Sequence, residues 1–145
     1  MERCIVIADD DPITISLVKL RLGMARYDVV GTTDAVAALA LVRAKEPVAV
    51  ILDVQMPGGG SQPGGLAALA QIKADPRLNK LPVMMLTGER NTEIVMHAMT
   101  GGADDYMVKP FDPDTLLERV ARLVKSSTMV WDYRPAAATA ATWEI

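Results

Sequence analysis

Residues 48–52, Val-Ala-Val-Ile-Leu, are five apolar residues in a row, bracketed by Pro47 and Pro57 and followed at once by Asp53. A run this short, with no polar residue alternating through it, reads as a strand buried on both faces. Such a strand needs a parallel sheet with helices packed over both sides. Four comparable runs accompany it: residues 4–8 lead into Asp9-Asp10-Asp11-Pro12, 28–31 form a shorter strand, 82–86 end at Thr87-Gly88, and 106–108 lead into Lys109-Pro110-Phe111.

Helical spacing fills the intervals. Asp11 and Pro12 make a helix start, the carboxylate capping free amides and the proline suiting the first helical position. Ile13, Leu17, Leu20 and Met24 then recur as one apolar face. Asp34 opens a second helix with Val36, Leu39 and Ala40 inward. Residues 58–65 read as a flexible loop that cannot be helical, five of the eight being glycine. Leu66, Leu69 and Ile72 mark a third helix, ended near Asp75-Pro76. Ile94, Val95, Ala98 and Met99 mark a fourth, stopped by Gly101-Gly102. The fifth buries Leu116, Leu117, Val120, Leu123 and Val124, with Glu118, Arg119, Arg122 and Lys125 as its solvated face. Alternating strands and helices imply an α/β doubly wound (βα)5 fold, a three-layer sandwich around a parallel five-stranded sheet. Right-handed crossovers put all five strand exits on one edge. The expected domain is 1–126, with 127–145 a flexible tail, since periodicity fails past Ser126 and residues 134–142 are mostly Ala and Thr.

Composition narrows the function classes. A formal net charge of −3 gives no footprint for nucleic acid, and no basic helix-turn-helix pattern is present. No run approaches the roughly 18 apolar residues of a membrane span. The single cysteine, Cys4, lies in a strand and reads as buried and reduced. A cytoplasmic location is expected. The lone histidine, His97, falls within helix four and reads as an ordinary surface or half-buried residue.

Five functional groups leave strands at the common edge: Asp9, Asp10, Asp53, Thr87 and Lys109. Three carboxylates in a shallow cleft repel one another. One lysine leaves two negative charges, which a divalent cation neutralises. Oxygen donors without a Cys or His cluster fit Mg2+.

The segments Ile-Val-Ile-Ala-Asp-Asp-Asp-Pro (5–12), Leu-Asp-Val-Gln-Met-Pro (52–57), Met-Leu-Thr-Gly (85–88) and Tyr-Met-Val-Lys-Pro-Phe (106–111) resemble, in order, the receiver domain of two-component response regulators. The resemblance covers about residues 3 to 126 and implies a flavodoxin-like sheet of order 2-1-3-4-5. It further implies that Asp53 takes a phosphoryl group from a phosphohistidine of a sensor histidine kinase or a histidine phosphotransfer protein. Asp10 and Asp53 would bind Mg2+ directly, Asp9 through water, and Gln55 through its carbonyl. Lys109 would hold phosphoryl oxygens, and a cis Lys109–Pro110 bond is expected. Thr87 and Tyr106 would form the switch that reshapes the face of helix four, strand five and helix five for a downstream protein target. Phosphorylation-dependent homodimerisation stays open as an output. Gln55 and Glu89 would tune phosphate lifetime. The chain would thus be a phosphorylated switch rather than an enzyme acting on a separate substrate, stand-alone or the receiver part of a longer regulator.

The loop after Pro57 departs from the family pattern by about four extra residues, a surface insertion that costs little entropy or a device that tunes docking beside Asp53. Trp131 and Trp143 are candidate docking residues of the tail. Among other chemistries, an aspartyl-phosphate phosphohydrolase needs an acid two residues past its nucleophile, where this chain has Gln55. A flavin phosphate needs a small-residue cradle after strand one, where Asp9-Asp10-Asp11 would repel it. A receiver-like scaffold without phosphorylation is opposed by the complete motif.

Overall fold

A computed structural model describes residues 3–88 and 92–131. The order of elements is β1 (Arg3–Ala8), α1 (Pro12–Met24), β2 (Tyr27–Thr32), α2 (Ala35–Lys45), β3 (Ala49–Asp53), α3 (Gly64–Ala74), β4 (Val83–Thr87), α4 (Thr92–Thr100), β5 (Asp105–Val108) and α5 (Pro113–Ser126). All strand pairs are parallel and the sheet order is β2-β1-β3-β4-β5. The sheet order that the resemblance implied is the one found.

Strand alternation divides the core in two. Val6, Ala8, Val50, Leu52, Val83 and Met85 face α2, α3 and α4. Ile5, Ile7, Ala49, Ile51, Met84 and Leu86 face α1 and α5. Both faces of β1, β3 and β4 are therefore dry, which is why those strands are continuous apolar runs. Asp11 accepts from the Ile13 amide (3.0 Å) and Asp34 from the Ala37 amide (2.8 Å), capping α1 and α2.

Several sequence expectations need correction. In α1 the buried residues are Thr14, Val18 and Leu22. Ile13, Leu20 and Met24 are 77, 65 and 70% exposed, and Leu17 is the least exposed of that stripe. Helix α1 has two apolar stripes, and spacing does not tell which one meets the sheet. In α2 the inward set is Ala35, Ala38, Leu39 and Val42, whereas Val36 and Ala40 are exposed.

Gly64 and Gly65, read as loop, form the first turn of α3. A Cβ on Gly64 would lie 2.2 Å from the Met56 carbonyl oxygen, and one on Gly65 2.2 Å from that of Asp53. Glycine lets the helix start touch the strand exit. Its amides are satisfied there, Gly64 donating to the Met56 carbonyl (2.9 Å) and Gly65 to that of Val54 (3.0 Å).

Arg119 is not simply solvated. It donates to the Tyr106 carbonyl (2.9 Å) and pairs with Asp105 (3.3 Å), tying α5 to β5. Residues 127–131 also differ from the free tail expected. Met129 and Trp131 are half-buried against the α2–α3 core, and the Trp131 indole donates to the Pro47 carbonyl (2.8 Å). Trp143 and the rest of 132–145 lie outside the described residues. Among the described residues no helix is long and apolar enough to cross a membrane.

Candidate functional site

The register Ala8↔Leu52 brings the exits of β1 and β3 level, so the next residues, Asp9 and Asp53, stand side by side. The Asp9 amide extends the β1–β2 ladder by donating to the Thr32 carbonyl (3.0 Å), and the Val54 amide extends β3–β4 by donating to that of Leu86 (2.9 Å). Ladder bonds on both sides thus fix the two carboxylates. Asp9 and Asp53 are buried, and Asp10 is exposed at the rim. One carboxylate oxygen from each of the three lies within 4.8 Å of the others.

Lys109 reaches this cluster from β5. Its amide donates to the Thr87 carbonyl (2.8 Å), and the Lys109–Pro110 bond is cis as expected. Its Nζ lies 2.8 Å from Asp9 Oδ2 and 3.6 Å from Asp53 Oδ1. Asp9 Oδ1 accepts from the Asp11 amide (2.9 Å). Asp9 Oδ2 is buried and has the Lys109 ammonium as its close partner, a single cation that it shares with Asp53. Asp53 Oδ1 accepts from the Gln55 amide (3.3 Å).

Three carboxylates against one ammonium leave the cluster short of positive charge. Burial first, and then the Asp9 charge, push the Asp53 carboxyl up to about 6, although Lys109 pulls the other way. For Lys109 burial favours the neutral amine, but the Asp9 contact and the Asp53 charge together outweigh it and raise its pKa. An incompletely satisfied buried oxygen, converging oxygen donors and residual negative charge fit a hard divalent cation.

Thr87 is buried at the exit of β4, the strand beside Asp53. Gln55 presents its amide to Asp53 while its side chain is exposed. Tyr106 is half-buried against the α2–α3 core, outside the carboxylate cluster. His97 is exposed on α4. Glu89 lies outside the described residues. Sequence reasoning missed the Asp9–Lys109 pair, because a lysine leaving β5 carries no sign of which acid it meets. It also missed Arg119 at Tyr106 and Trp131 at Pro47, both contacts with backbone carbonyls that leave no mark in side-chain patterning.

The family model of the response regulator receiver domain matches residues 5–121. The chain belongs to that family. As a receiver domain it is part of two-component signalling, where such domains act as phosphoacceptor switches. It is 33% identical over 126 residues to the DNA-binding dual master transcriptional regulator RpaA of Synechocystis, a match covering 87% of this chain and 51% of the relative. It is 35% identical over 124 residues to the DNA-binding response regulator MtrA of Mycolicibacterium smegmatis, covering 85% and 51%. The receiver chain spans about half the length of these curated relatives. Both relatives are DNA-binding regulators, which stands against the expectation of no direct nucleic-acid contact, an expectation made of these 145 residues alone. Among solved structures, a response regulator from Chloroflexus aurantiacus superposes with a TM-score of 0.79 at 29% identity, covering 86% of this chain and 99% of that one. The signal receiver domain of a histidine kinase from Syntrophus aciditrophicus gives 0.80 at 26% identity, covering 92% and 98%.

Proposed function

We propose that this receiver domain accepts a phosphoryl group on Asp53 from the phosphohistidine of a sensor histidine kinase or a histidine phosphotransfer protein, and that the modification alters its α4-β5-α5 face. The observation that carries the reading is the convergence of Asp9, Asp10, Asp53 and Lys109, with the buried Asp9 Oδ2 incompletely satisfied. Asp9, Asp10 and Asp53, with the Gln55 carbonyl, would hold Mg2+. When bound, the cation offsets charge on the carboxylates and on the transferred group.

The chain's own groups do the rest. A carboxylate oxygen of Asp53 attacks phosphorus, the O–P bond forming as the P–N bond to the donor imidazole breaks, and the electron pair leaves with the imidazole. The Gln55 amide orients Asp53, and the Lys109 ammonium neutralises phosphoryl oxygens. Thr87 then donates its hydroxyl to the phosphoryl group. Tyr106 follows, because the register Met85↔Tyr106 and Thr87↔Val108 puts Thr87 and Tyr106 on the same face of the sheet. Gln55 and Glu89 screen the acyl phosphate from water. The output is the reshaped surface, offered to a protein partner or a second copy.

The test treats parent and Asp53→Ala with a small-molecule phosphodonor and Mg2+. The parent alone should gain one phosphoryl mass, and size exclusion should read any change of oligomeric state. A gain on both proteins, or on neither, refutes Asp53 as acceptor.

A further inference from the structure

Beyond α5 the chain turns under the sheet. The Ser127 amide closes the helix on the Val124 carbonyl (3.3 Å), and the Met129 amide is held by Ser127 Oγ (3.0 Å). Trp131 then crosses to the α2–α3 side, its indole donating to the Pro47 carbonyl (2.8 Å). Pro47 lies just before β3, the strand whose other end is Asp53. The indole is only half-buried, and its seat is loosely filled. Trp131 borders a cleft of about 580 Å³ with Arg77, Lys80 and Met129. It borders another of about 110 Å³ with Arg43, Asp75 and Leu78, and a third of about 110 Å³ with Val48, Val124 and Met129. One hydrogen bond and partial burial against the α2–α3 core fasten it. Opening would free the indole N–H to water and leave the strand ladder intact.

Helix α5 itself is seated by buried Leu116 and Val120 and by the pair of Asp114 with Arg21 (2.8 Å), and Arg119 ties it to β5, its guanidinium donating to the Tyr106 carbonyl and pairing with Asp105. One of these ties reaches the strand of the switch tyrosine, and the segment after α5 adds another at Pro47, just before the strand of the phosphoacceptor. A shift of the β5 backbone at Tyr106 would reach α5 through Arg119, and Trp131 lies on the segment that follows that helix. From these contacts we infer that residues 127–131 are a latch, closed on Pro47 in the unphosphorylated protein and loosened when Tyr106 moves. The coupling rests on the phosphoacceptor reading, whereas the closed latch does not.

The test uses the full chain carrying Trp143→Phe, so that Trp131 is the sole emitter. Acrylamide quenching is read with and without Mg2+ and beryllofluoride, a mimic of the acyl phosphate, and fluorine NMR reports loading independently. Trp131 should be shielded in the unloaded protein and about twofold more quenchable once loaded. Reciprocity requires Trp131→Ala to tighten beryllofluoride binding by the factor by which loading opens the latch, about fivefold at the low end of ordinary couplings. Trp131→Phe, which keeps the ring but loses the N–H donor, should tighten it less. Full quenchability of the unloaded protein overturns the latch. Unchanged quenching of a protein that fluorine NMR shows to be loaded overturns the coupling alone. Failure to load overturns the phosphoacceptor reading and the coupling with it, while the unloaded protein still decides the latch.

Discussion

Asp53 sits at a destabilised position. A carboxyl raised from 3.8 to about 6 holds its proton in the folded protein over a pH range where the unfolded chain has released it. The contribution of Asp53 to stability therefore falls as pH rises from about 4 to about 6 and is flat above. Removing the charge should relieve this. Without divalent cation, Asp53→Asn should be more stable than the parent by up to about 3 kcal/mol at pH 7 to 8. The gain should vanish below pH 4, as read by urea unfolding across pH. Lys109 offers the complementary case, since truncating it strands the buried Asp9 carboxylate without its cation. A second residue-scale prediction concerns Gly65. Its Cβ would press on the Asp53 carbonyl, so Gly65→Ala should cost about 1–3 kcal/mol or more, where alanine in an ordinary helix gains stability over glycine.

At the scale of elements, α1 gives the sharpest contrast between pattern and structure. Leu22 is fully buried and Leu20 is 65% exposed. Leu22→Ala should cost about 2–5 kcal/mol, and Leu20→Ser should stay within about 0.5 kcal/mol. The opposite ranking would mean that the stripe of Ile13, Leu17, Leu20 and Met24 faces the sheet. The strands could be read because burial on both faces leaves runs of Val, Ile, Leu and Met with no polar interruption, and the Asp, Thr and Lys ending four of the five strands stood out against those runs. Helix faces could not be read so well, because α1 and α2 are apolar around most of their circumference and Thr14 is buried where Ile13 is not. The start of α3 was hidden for a different reason. Two glycines disfavour a helix locally, and only the close approach of the Asp53 and Met56 carbonyls explains why nothing larger stands there.

For the molecule as a whole, one sheet edge carries the chemistry and the opposite edge carries the exit of the chain, with β3 and α5 running between them. If the acidic cluster holds Mg2+, folding and metal binding are linked. Mg2+ at about 100 times its Kd should then add about 2.7 kcal/mol to the unfolding free energy. Asp9→Asn combined with Asp10→Asn should abolish that increment, as calorimetry with and without the ion would show. The measurement closest to the central claim is a titration of the Asp53 carboxyl carbon by NMR, run with and without Mg2+. The account predicts a midpoint near 6 in metal-free protein that moves to lower pH when the cation is added. A midpoint at the ordinary aspartate value, unmoved by Mg2+, would contradict it.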